Sequence, residues 1–394
     1  MSDPLLPYTA EQIGEYQKEL GIVGSLSNLF SDSSSPMIYY RATENIYCRA
    51  FSALNVSRSD CTADAIFNFK TGVGIKTFLD KENGSFQKIA EFNKQAPLYK
   101  NLSGIDLIKR IAELRNERID FTIRNYGLKS MIYHCILRGE NGQISVFEEP
   151  MNSIDINNIK IVSTEANKCE FTDGIEEYEF YFSKSTLFKH FSSGDPFLSF
   201  KVSILADPIA ALSRLMDFAL ENAEPAFNTQ IEILPSIVIP LYSENKKAGR
   251  FVAERSGLNE WNAGPRVRFD KKDHHAISSK KRNPDEIYIP YPKDLLKANE
   301  DFFPPRGTSW QMKLPNGDCL SMKVCQEGSK ALMSNPNNAL GEWLLREVLK
   351  LPQGHLVTYE ELLSIGIDSI VIRKHKDGTF DCDFIDNSVV DLDI

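Results

Sequence analysis

The chain reads as an α+β protein of two domains, and three observations carry that reading. Its 394 residues exceed what one ordinary hydrophobic core holds. Helical and strand periodicities mix, as in an α/β domain, up to about residue 235. From Ser236 onward the texture changes to short strands separated by turn residues. The expected division is a mixed α/β domain over 1–235 and a small β-barrel carrying helices at its side over 236–394.

Composition narrows the class. With 42% hydrophobic and 25% charged residues the chain is ordinary globular material, and no apolar run approaches the roughly 20 residues of a membrane span. The start, MSDPLLPYTAEQ, carries no basic or apolar export region, so a cytoplasmic location is expected. Seven scattered cysteines without a CxxC pair read as reduced thiols, not a zinc site or a disulfide frame. The net charge of -9 hides a local excess: nine Lys/Arg against four acids between Arg250 and Arg282, with Lys271, Lys272, His274 and His275 in its middle. Such a stretch is either a solvated loop or a phosphate-facing surface.

Taken in order, TAEQIGEYQKEL predicts a helix capped by Thr9 with Gln12 three residues on, and Arg41 to Leu54 predicts a second with Glu44 in its first turn. TADAIF and VGIKTFL predict strands, KIAEFNK a helix, and LIKRIAELRNERI a helix with Leu107, Ile108, Ile111 and Leu114 on one face. IDFTI, SMIYHCILR, QISVFEE, IKIVS and EYEFYFS follow as strands, SKSTLFKHF as a capped helix, FLSFKVSIL as a strand, and a helix after Asp207-Pro208. Pro225 and Pro235 place the boundary near 230–238. Beyond it, Asn316-Gly317 and Asp377-Gly378 each sit between strand-like runs and predict hairpins, with ALGEWLLREVL and TYEELLSIG as helices.

The chemistry concentrates between Thr62 and Lys94. Asp64 opens one apolar run, Lys76 lies inside a second, and Glu91 follows in KIAEFNK. A lysine within an apolar strand is costly to bury, so a partner or a function is expected there. Arg58, Ser59 and Asp60 are plausible neighbours without an assigned role. Ordinary structural roles stay open: Asp64 as a cap, Lys76 as an edge residue, Glu91 as a partner of Lys88 or Lys94, and Glu44 as a favourable charge near a helix N-terminus. Glu148-Glu149 form a second acidic pair, ranked lower because no lysine accompanies them within a strand.

The ordered blocks ERSGLNEW, KRNPDEIYIPYP, DFFPPRG, LPNGDCLSMKVCQEGSKAL, NNALGEWLLREVL and TYEELLSIG resemble the C-terminal region of NgoFVII-type restriction endonucleases over about residues 236–386. That resemblance implies a B3-like β-pseudobarrel that grips the major groove of double-stranded DNA. Residues in and between these blocks suited to reading base edges or holding phosphates are Arg255, Ser256, Asn259, Trp261, Arg266, Arg268, Arg282, Asn283, Arg306, Gln311, Lys313, Gln326 and Lys330. Trp261 suits core packing equally, and Asn283 before Pro284 suits a turn.

Relatives of that type commonly carry a phospholipase-D-like nuclease with an HxKxxxxD signature, and none of the six histidines begins one. The Asp64–Lys76 spacing instead resembles the PD-(D/E)XK nuclease fold, with Gly74 where the strand acid usually stands and Glu91 as a displaced glutamate. The two resemblances imply a Mg2+-dependent type II restriction endonuclease in which Asp64 and Glu91 hold metal, Lys76 positions the water or offsets phosphate charge, and Glu44 assists. Cleavage of both strands of a palindrome implies a homodimer, at least on DNA, and a restriction system implies a companion DNA methyltransferase. A non-catalytic DNA-binding regulator is the alternative.

Overall fold

In the computed structural model the described residues are 2–57, 59–221, 234–247, 249–269 and 276–386. The chain folds as two compact units, Met1–Ile123 with Leu128–Glu232, and Arg124–Gly127 with Ile233–Ile394.

The first unit opens with α1 (Ala10–Ser25), whose Thr9 and Gln12 form the expected reciprocal cap. Next come α2 (Tyr40–Ala50), β1 (Leu54–Asn55), β2 (Ala65–Phe67), β3 (Thr71–Leu79) and β4 (Ser85–Glu91). The long α3 (Gly104–Tyr126) follows, then β5 (Ser130–Arg138), β6 (Gln143–Pro150), β7 (Lys160–Thr164), β8 (Lys168–Thr172), β9 (Glu177–Tyr181), β10 (Thr186–Phe191), β11 (Leu198–Lys201) and α4 (Pro208–Glu221). Six strands form one sheet in the order β1-β2-β3-β5-β6-β11, and five form a second in the order β4-β10-β9-β8-β7. All pairs are antiparallel except β3 with β5. A parallel neighbour needs a crossover, which the chain between the two strands, α3 included, supplies.

Two cores hold this unit. Tyr16, Leu20, Tyr47 and Phe51 of the α1–α2 region pack on Val73, Ile75, Ile132 and Ile136 of the six-stranded sheet. Ile108, Ile111 and Leu114 of α3 pack with Phe92, Phe171, Phe180 and Leu187 of the five-stranded sheet region, the helix face expected from spacing. Between the two sheets, buried Lys189 of β10 bonds Glu149 of β6 at 2.7 Å and pairs with Glu176 at 2.7 Å.

Three local expectations are corrected. IDFTI continues α3 instead of forming a strand. KIAEFNK does not form a helix: Glu91 ends β4. SKSTLFKHF forms β10, not a helix, and its partner is β4, with Thr186 opposite Glu91. In addition, α2 begins at Tyr40, which carries Glu44 past the first turn and away from the helix terminus.

The second unit begins with β12 (Ser236–Pro240), β13 (Ser243–Asn245), β14 (Gly249–Phe251), β15 (Arg266–Phe269), β16 (Ala276–Lys280), β17 (Ile289–Pro290) and α5 (Lys293–Ala298). It continues with β18 (Ser309–Lys313), β19 (Cys319–Cys325), β20 (Ala331–Ser334), α6 (Ala339–Gly341) running into a π-helical turn at Glu342–Val348, α7 (Tyr359–Ser364), β21 (Ser369–Lys374) and β22 (Phe380–Ile385). Seven of these strands form a nearly closed, barrel-like sheet in the order β12-β21-β22-β18-β19-β20-β17. Both predicted hairpins are present: Gly317 (φ 93°) turns β18 into β19 and Gly378 (φ 80°) turns β21 into β22. Among the described residues, no helix is long and apolar enough to cross a membrane.

Candidate functional site

Asp64 stands one residue before β2, where its backbone is already paired. Its N–H donates to the Val73 carbonyl (2.9 Å) and its carbonyl accepts from the Val56 N–H (3.0 Å). Its side chain completes the ladder, Oδ2 accepting from the Ile75 N–H at 2.7 Å, one residue before Lys76. Lys76 is partly buried on β3, in register with buried Cys135 of β5. Through-space attraction from Lys76 acts on Asp64, although among the described residues no ion pair joins the two.

Glu44 approaches from α2. It is 5% exposed, and Arg41 one turn earlier donates to it at 3.2 Å. Burial raises the Glu44 pKa, and the charge of Asp64 raises it further, against the lowering by the Ser57 hydroxyl and Arg41. Burial raises the Asp64 pKa too, over the opposing effects of Lys76, the Ile75 N–H and Arg41. Two crowded, poorly solvated carboxylates of this kind favour a cation between them. The neighbouring Cys48 thiol is pushed up to about 12 by burial and by the charges of Glu44 and Asp64.

The hard oxygen donors suit Mg2+, which keeps much of its water and takes one or two carboxylates plus substrate phosphate. Asp64 and Glu44 meet that requirement. Among the described residues there is no group of three or more His, Cys, Asp or Glu able to hold a metal by themselves. At the strand position of the missing acid a Cβ at Gly74 would stand 2.7 Å from Met151 Cε and 3.3 Å from the Tyr133 ring, so the methionine end would have to shift to admit a side chain.

Glu91 is brought elsewhere. It lies exposed at the end of β4, ion-paired to Lys88 and bonded by the Asn93 amide, and Lys88 lowers its pKa first among several causes. The pairing with Lys88 foreseen from the sequence is thus realised. Arg58 lies outside the described residues. Arg41 was missed, although its spacing three before Glu44 on a helix was a readable signal. The low rank of Glu148-Glu149 also changes. Glu148 turns to buried His134 (2.8 Å) and the Tyr8 hydroxyl (2.6 Å), while Glu149 receives a lysine from β10 that no local spacing could reveal.

In the second unit the candidate DNA residues separate into exposed and engaged. Gln311 and Lys313 are exposed on β18, and alternation along β18 and β19 puts Ser309, Ser321 and Lys323 on the same outward face. Lys323 was missed, although that alternation was legible. Exposed Arg306 precedes β18, and exposed Gln326 and Lys330 belong to the β19–β20 turn; Gly307 donating to Val324 (3.1 Å) brings the two segments to one end of the sheet. Arg255 is exposed and Ser256 half-buried, beside Gly257, which packs on Pro290 of β17.

Others are withdrawn from the surface. Asn259 is fully buried, its amide donating to the Ala253 and Val357 carbonyls (3.1 and 3.0 Å) and its oxygen accepting from the Val357 N–H (2.9 Å). Asn283 caps a turn by accepting from the Asp285 N–H at 2.8 Å. Trp261 is half-buried, with its indole N–H unpaired in the interior. Arg266 and Arg282 both bind Glu286, and Arg282 also binds Glu260 at 2.8 Å. Arg268 belongs to β15, while Lys271, Lys272, His274 and His275 lie outside the described residues.

No curated protein matches the chain significantly. Residues 237–376 match the family model described as the NgoFVII C-terminal B3-like DNA-binding domain, and with the barrel-like sheet this makes the C-terminal region a DNA-binding domain of the restriction-enzyme type.

Proposed function

We propose that the chain is a site-specific, Mg2+-dependent deoxyribonuclease of the type II restriction class, with its catalytic site at Asp64, Glu44 and Lys76. What supports this reading is that two poorly solvated carboxylates, Glu44 in the field of Asp64, and a strand lysine acting on Asp64 share one unit, in a chain whose other unit is a restriction-type DNA-binding domain. A bound Mg2+ supplies Lewis-acid charge to the phosphate and lowers the pKa of an attacking water. Asp64 and Glu44 would hold it, and the Ile75 N–H fixes the Asp64 carboxylate for that role. Lys76 offsets charge on the phosphate or orients the water. Glu91, first expected to complete the site, gives way in this reading to Glu44, because its carboxylate is committed to Lys88 and Asn93.

The outward row of exposed Gln311 and Lys313 with half-buried Lys323, and exposed Arg306, Gln326 and Lys330 at its end, supports contact with duplex DNA through base edges and phosphates. A homodimer on a palindromic site, a companion methyltransferase and a cytoplasmic location belong to the same proposal. The test is plasmid cleavage with and without Mg2+ by the intact chain and by Asp64→Ala: discrete fragments that vanish in the variant support it, and specific binding without cleavage under any divalent ion defeats it. A DNA-binding regulator without catalysis is the second reading, since the family match covers the DNA-binding region alone.

A further inference from the structure

Arg41 reaches both Glu44 and the solvent. Its Nη1 donates to Glu44 Oε2 at 3.2 Å, to the Ser57 carbonyl at 3.2 Å and to the Ser57 hydroxyl at 3.1 Å. Val56, next to Ser57, donates its N–H to the Asp64 carbonyl at 3.0 Å, so the arginine is anchored beside the strand that carries Asp64. The Glu44 side chain is 7% exposed and that of Arg41 35%. The acid is therefore shut in while the cation can turn outward. Asp64 and Glu44 with Arg41 and Lys76 sum to zero charge, so the metal-free site neither holds spare positive charge for DNA nor leaves its acids unneutralised. A divalent ion entering there would bring two further positive charges and compete with the guanidinium for Glu44.

We propose that Arg41 is a place-holding cation: it occupies Glu44 in the metal-free protein, yields that carboxylate when a divalent ion enters, and turns to a backbone phosphate of the bound DNA. This rests on the nuclease reading of the same site. Arginine suits the exchange, because its planar fork fits carboxylate and phosphate alike. The single hydrogen bond to Glu44, where a fork could make two, is the form of contact that is readily surrendered.

The test is Mn2+ binding to the full chain without DNA, read from the electron paramagnetic resonance of free Mn2+, in the wild type, Arg41→Gln, Arg41→Lys and Asp64→Asn. Arg41→Gln is expected to bind Mn2+ about fivefold tighter, Arg41→Lys to fall between it and the wild type, and Asp64→Asn to lose binding. Over the same series cleavage and DNA affinity in Mg2+ are expected to fall in Arg41→Gln. Should that variant not fold, Arg41→Lys decides alone, by binding Mn2+ more tightly than the wild type or not. Mn2+ binding that is unchanged or weaker in the folded variants overturns the proposal, as does an absence of Mn2+ binding in all of them. Tighter Mn2+ binding with no cleavage by any form would defeat the nuclease reading and leave the place-holding role standing.

Discussion

The molecule contains two clusters built from the same components, two carboxylates and two cations, and they are arranged to opposite effect. In the second unit Glu286 takes both Arg266 and Arg282, Glu260 takes Arg282, and Arg282 Nε also donates to the Gly264 carbonyl at 3.0 Å. The ion pairs close on one another and tie β15 to the chain before β17. In the first unit Asp64 spends one oxygen on a backbone N–H, Arg41 holds Glu44 by a single bond, and Lys76 acts on Asp64 only through space. A closed cluster stabilises a fold; an open one keeps charge available for something that arrives. Charged residue types alone do not distinguish the two, but the number of bonds each charge has already made does.

The largest consequence concerns cleavage. Asp64→Ala and Lys76→Ala are expected to lower the cleavage rate by about 100-fold or more, whereas Glu91→Ala should leave it nearly unchanged. A large loss in Glu91→Ala, measured by plasmid digestion, would return that residue to the site. Next in size is the closed cluster: Glu286→Ala leaves two arginines without their shared acid and is expected to cost about 2 kcal/mol, read from urea unfolding. A variant as stable as the wild type would show that this cluster is not a clamp.

A smaller effect of opposite sign is expected at the open site. The Asp64 pKa is raised in the folded protein, chiefly by burial, so the native state holds its proton more tightly than the unfolded chain does. Stability therefore falls as pH rises from the unfolded toward the folded pKa, and the loss is complete above both. Asp64→Asn is accordingly expected to raise Tm by a few degrees at neutral pH, corresponding to about 1 kcal/mol, with the gain fading below the ordinary aspartate pKa. A lower Tm in metal-free buffer at neutral pH would refute this. The smallest effect lies on DNA: Lys313→Ala should reduce the slope of log affinity against log salt by about 1, while Arg266→Ala should leave that slope nearly intact. An equal change in both would mean that Glu286 releases Arg266 to phosphate.

What could be read from the sequence was what neighbouring residues decide. The cap at Thr9, the turns at Gly317 and Gly378, and the two strands that set Asp64 beside the strand of Lys76 all lie within a few residues of their causes. Two segments read as helices, KIAEFNK and SKSTLFKHF, overlap β4 and contain β10, which pair with each other across about a hundred residues of chain. Each looked helical for want of a partner that only the folded chain supplies, and placing Glu91 on a helix failed for that reason. IDFTI failed the other way. Its β-branched residues suggested a strand, but buried Ile119 and Phe121, and Thr122 bonding back to the Arg118 carbonyl at 2.9 Å, let α3 run on. Asn259 was misjudged as a surface group because Val357, a partner nearly a hundred residues away, is invisible to local spacing.

The crowding over Gly74 has an engineering consequence. A designer wishing to restore an acid beside Lys76 on the strand would meet Met151 Cε first, the flexible end of a side chain that must shift to admit Gly74→Asp, and a trimmed residue at 151 opens the room outright. Such a double variant would carry a carboxylate on the strand as well as the one on α2. Removing Glu44 in that background would then ask whether an acid on the strand can take over the role proposed for the one on the helix.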